Sequence, residues 1–147
     1  MNIARATLHV SAGFFAAVAT IGFMLWLGGV PDGIGLTLLA SIVASQIGAL
    51  AGWPLIERRL RSDWLGPLGA GLMMAIIVHV ATGVLWIPVT MLTGKPPADP
   101  GDALELALFI TCYSAIFVGW ITAPVAMITA VVVNRLRRKE LAAGSAA

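Results

Sequence analysis

Residues 64–94 read WLGPLGAGLMMAIIVHVATGVLWIPVTMLTG, 31 positions without one Asp, Glu, Lys or Arg. An α-helix rises about 1.5 Å per residue and a bilayer's hydrocarbon core is about 30 Å thick, so about 20 apolar residues suffice to cross it. Outward from this stretch lie three more without charge: Ala6 to Pro31, Gly33 to Ile56 and Leu106 to Asn134, of 26, 24 and 29 residues. The whole chain of 147 residues is 59% hydrophobic and only 11% charged, against roughly 25% charged residues in soluble domains. An ordinary water-soluble fold is excluded.

These runs predict an all-α protein, an integral membrane four-helix bundle forming one domain over 1–139. The expected spans are about 7–29, 34–56, 66–92 and 104–134, arranged as two antiparallel hairpins, with 140–147 a flexible tail. A closed barrel would need lipid-facing and lumen-facing residues to alternate over about 10 positions, and no such alternation occurs. The first run also has the look of a signal peptide, with Arg5 before it and Ala17-Val18-Ala19 as a cleavage-like site. Its continuation through Ile21, Phe23, Leu25 and Leu27 argues for a retained span.

Basic residues set orientation, because short loops rich in Lys and Arg stay in the cytoplasm. With the amino terminus inside, Arg5, Arg58, Arg59, Arg61, Arg135, Arg137, Arg138 and Lys139 are all cytoplasmic and only Lys95 is outside. Both termini are therefore expected in the cytoplasm. The two inner clusters serve topology or anionic lipid headgroups. Trp26, Trp53, Trp64 and Trp86 fall near expected helix ends, where an indole keeps its polar edge at the headgroups. Short loops and the lack of targeting signals point to a bacterial cytoplasmic membrane.

Turn chemistry separates the runs. Gly28-Gly29-Val30-Pro31-Asp32-Gly33 suits a tight hairpin, and Pro67 suits the first turn of the third helix. Pro96, Pro97 and Pro100 make the longest loop extended and stiff. Asp102 with Glu105 reads as a capping pair opening the fourth helix near Leu104. Pro88 and Pro124 are the expected kink points.

Helices in lipid associate through close backbone approach, which small residues permit. The second run carries Ala40, Ala44, Gly48 and Gly52 at four-residue spacing, the third Gly71, Ala75 and Gly83, and the fourth Ala115, Gly119 and Ala123. His79 fills the gap in the third stripe and should face another helix. An intramembrane ionisable group is a candidate site by default, and Gln46, Ser45, Tyr113 and Ser114 are expected at a similar level. The plain alternative is that the imidazole makes one hydrogen bond and fixes helix register.

Other chemistry finds little footing. His9 and His79 differ in depth by roughly 15 Å and cannot share a haem. Cys112 is the single cysteine, so no internal disulfide forms. No metal site and no cofactor are expected, and no catalytic motif is present. The basic charge lies at membrane borders and does not indicate nucleic acid. The chain lacks the first-span glutamate of small multidrug exporters and the cysteine pairs of quinone-linked disulfide oxidases. Partners are then the lipid bilayer and a membrane protein or a second copy. The role expected is a non-catalytic membrane component; the alternatives are a small carrier or channel subunit built around His79 and, last, an intramembrane enzyme. A carrier predicts polar groups lining one connected cavity, whereas a structural bundle predicts local hydrogen bonds and no connected void.

Overall fold

The computed structural model describes residues 11, 13–15, 17–19, 21–22, 25–26, 34–58 and 65–144, except the side chains of 34, 37, 38, 53, 55–58 and 65. It is all-helical over these residues, without a strand. The described residues from 11 to 26 are helical and constitute α1. Three helices follow: α2 (Ile34–Arg58), α3 (Leu65–Leu92) and α4 (Pro100–Gly144). Within the described residues, two helices are long and apolar enough to cross a membrane, Gly66–Leu92 and Pro100–Ala143. In α2 the corresponding apolar stretch is the shorter Leu39–Gly52.

The end of α3 and the start of α4 are fixed by local chemistry. Gly94 adopts the left-handed conformation, φ 76°, which a residue without Cβ takes at no steric cost. Its N–H donates to the Met91 carbonyl at 3.3 Å while Lys95 N–H donates to the Thr90 carbonyl at 2.9 Å. This paired pattern is a Schellman cap, and it satisfies carbonyls that the helix end leaves free. The fourth helix opens earlier than the sequence pattern implies. Asp99, not Asp102, is the cap: its Oδ1 accepts from Gly101 N at 2.7 Å and Asp102 N at 3.0 Å. Asp102 instead reaches back to accept from Ala98 N at 3.3 Å. Pro100 takes the first helical position, where its missing N–H costs nothing.

At the other end α4 stays helical through Gly144, well past the expected end of the span near 134. Its 45 residues make a rod about 68 Å long. Pro54, Pro88 and Pro124 all lie inside helices, each removing one donor without ending the element.

In packing, α3 is central, with α2 on one side and α4 on the other; α2 and α4 hardly meet. Gly48 and Gly52 of α2 receive the Val78 and Met74 side chains of α3. On the opposite side Gly71 lies against the α4 backbone, where an added Cβ would stand 2.5 Å from Met127 Cα and 2.7 Å from the Ala126 carbonyl. Gly83 meets the Ala107 carbonyl and Thr111 Oγ1. An added Cβ at Gly13 of α1 would stand 3.4 Å from the Ser45 carbonyl. Alanines dominate the buried apolar residues, among them Ala40, Ala44, Ala49, Ala75 and Ala130, while Ile116, Ile128, Leu108 and Phe109 stand outside. The inside is small and the outside is greasy, the reverse of a domain that meets water.

Candidate functional site

His79 sits on the α3 face that includes Gly71, Ala75 and Gly83, all four buried. At that face α4 approaches closely enough for direct side-chain contact. His79 Nδ1 lies 3.0 Å from Ser114 Oγ and Nε2 lies 2.9 Å from Thr122 Oγ1. The ring thus bridges two hydroxyls about two turns apart on α4. Beneath it is Gly119, where an added Cβ would stand 3.6 Å from Nε2, ordinary contact distance.

The proton positions follow from counting donors. Ser114 Oγ lies 3.0 Å from the Thr111 carbonyl, to which only its hydroxyl can donate; with its single proton placed there, it accepts from His79. Nδ1 therefore carries the hydrogen, and in a neutral imidazole Nε2 must accept from the Thr122 hydroxyl. One directed chain results: Thr122 to His79 to Ser114 to the Thr111 carbonyl. All polar atoms of the imidazole are satisfied, which is what a buried ring requires.

Beside this bridge runs a cavity of about 190 Å³ with walls from all four helices. His79, Ser45, Tyr113 and Ser114 line it; Gln46 does not. Ser45 is buried and donates to the Ile42 carbonyl at 2.7 Å. Gln46 lies on the α1 side, its Nε2 3.8 Å from where a Gly13 Cβ would be. Tyr113 is 40% exposed at the cavity's edge and stacks along α4, its ring 4.4 Å from Phe117 and 6.1 Å from Phe109. Of the residues expected to gather around His79, only Ser114 touches it; Ser45 and Tyr113 share the cavity wall with it.

Thr122 is the functional neighbour that sequence reasoning missed. Tyr113 and Ser114 are the expected partners on this helix, and Thr122 lies about two turns beyond Ser114, out of reach of that reading because the depth of a long helix slides freely in a sequence. The available signal was Ser114 and Thr122, two hydroxyls flanking Gly119. Thr82, Trp86 and Ser41 also line the cavity.

The small-residue stripes are placed unevenly. Ala40, Ala44, Gly48 and Gly52 are all buried. On α4, Ala115 is exposed and Gly119 and Ala123 are half-buried; the contact face runs instead through Ala107, Thr111, Ser114, Val118 and Thr122. That face turns by hydroxyl as well as methyl groups, which a search for Gly and Ala alone passes over. Arg135, Arg138 and Lys139 are exposed and Arg137 half-buried on the last turns of α4. Arg59, Arg61 and the Arg58 side chain lie outside the described residues. Cys112 is exposed. Among the described residues no three His, Cys, Asp or Glu side chains converge as a metal would need.

Comparison with known proteins returns no matching family model, no similar curated protein and no similar solved structure.

Proposed function

We propose that the chain is a non-catalytic integral membrane component: four spans, both termini in the cytoplasm, set in a bacterial-type cytoplasmic membrane. The observation that carries this reading is the inverted surface, with alanine and glycine inside and Ile76, Val80, Ile116 and Ile128 outside. A hydrocarbon solvent makes that arrangement favourable. His79 then acts as a strut, tying α3 to α4 through hydroxyls that have no water to turn to. Docking to a partner protein or to a second copy fits the short loops that the sequence leaves between its apolar runs.

The carrier reading has one observation in its favour, the connected cavity that His79, Ser45, Tyr113 and Ser114 share. Against it, several wall hydroxyls are consumed locally: Thr82 donates to the Val78 carbonyl at 2.8 Å and Thr129 to the Val125 carbonyl at 2.7 Å. A path for polar solutes needs free donors and acceptors.

One cysteine-scanning experiment tests both. In a Cys112→Ser background reconstituted in intact cells, a membrane-impermeant maleimide should label Ala98→Cys from outside, and Ser62→Cys and Ser145→Cys only after permeabilisation. Labelling of Ser62→Cys in intact cells overturns the topology. Rapid modification of Thr82→Cys by a small water-soluble thiosulfonate would favour the carrier.

A further inference from the structure

The cavity beside His79 is long, narrow and different at its two ends. Along α3 its wall runs from Met74 to Trp86, about 18 Å of helix. Spread over that length, about 190 Å³ is a bore roughly one hydrocarbon chain wide, and its length slightly exceeds the ~15 Å depth of a single leaflet. Toward Met74 the wall is carbon: Ala49, Ala75, Val78 and Val125 line it. The hydroxyls of Ser45 and Thr129, and that of Thr82 on the far side of His79, are turned into the carbonyls of their own helices. At the other end stand Ser41, Trp86 and Tyr113, a polar and aromatic rim of the kind that accommodates a headgroup. The helices α2 and α4 hardly meet, and Tyr113 on the cavity wall is exposed at the surface.

We propose that this cavity is a binding site for one hydrocarbon chain of a membrane amphiphile, its polar end beside Ser41, Trp86 and Tyr113 and its tail passing His79 toward Met74. The inference rests on the bilayer reading above. The chain can be that of a single-chain acid, a phospholipid or an isoprenoid; all present an extended apolar tail.

Photolabelling separates these cases. The full chain is reconstituted in phosphatidylcholine vesicles with a terminal-diazirine fatty acid, a phospholipid bearing the same chain, or a diazirine-tagged isoprenoid alcohol, and labelled residues are located by mass spectrometry. Lipid-facing Ile76 and Val80 serve as the internal control, since any bilayer chain reaches them. The expected result is labelling of Met74, Val78 and Val125 in addition to the control, with the responsive probe naming the source. Filling the bore from either of two helices, by Ala49→Phe or Val125→Phe, should abolish labelling at Met74 and Val78 and leave Ile76 and Val80 labelled. Labelling confined to Ile76 and Val80 in the unaltered chain overturns the cavity site alone. No labelling at either set overturns the bilayer reading with it.

Discussion

His79 satisfies both ring nitrogens in a single protonation pattern, and that pattern is measurable. Nitrogen-15 spectra of the histidine-labelled protein should show Nδ1 protonated and Nε2 bare; the reverse tautomer would contradict the direction of the Thr122 to Ser114 chain. Removing one hydroxyl at near-constant volume, Thr122→Val, leaves a buried acceptor unpaired and should lower stability by about 1 kcal/mol in a detergent unfolding assay. Asn134 presents the opposite case. It is buried, and its Oδ1 has no hydrogen-bond partner, so Asn134→Leu should raise stability by about 1 kcal/mol. That His79 faces a helix was legible from its place in the Gly71, Ala75, Gly83 stripe. Its second partner was not, because composition along a uniformly apolar helix carries no depth mark between its ends.

At the scale of the element, glycines that look alike in the sequence differ in consequence. Gly71→Ala pushes a methyl into the Met127 backbone, which cannot rotate away, and should cost about 2 kcal/mol or more as the helices part. Gly119→Ala adds a methyl at 3.6 Å from the imidazole and should change unfolding by less than about 0.5 kcal/mol. Equal losses from the two substitutions would mean that α3 and α4 do not cross as described. The bounds of α3 could be read directly, from a charge-free run closed by a glycine. The start of α4 was ambiguous in sequence, since Asp99 and Asp102 each precede an acidic residue three positions on. The prolyl ring at Pro100 decides between them: it fits the first helical position and forbids a donor there.

For the whole molecule, the outward-facing apolar side chains define what surrounds it. Under the bilayer reading, Ile76→Lys places a charge near mid-span and should disfavour insertion by about 2.5–3.5 kcal/mol in a glycosylation-based insertion assay; in a water-facing protein the same change would be nearly neutral. Charge-free lengths revealed the helical class. The cavity was invisible to that reading, because a void depends on how far α2 and α4 diverge, and divergence is written in no single helix. A last consequence concerns the 45-residue α4. It is held against α3 on both sides of the imidazole, from Ala107 through Met127 to Val133, and runs on to Gly144, so its last turns, which bear Arg138 and Lys139, project beyond the packed bundle as a cantilever does.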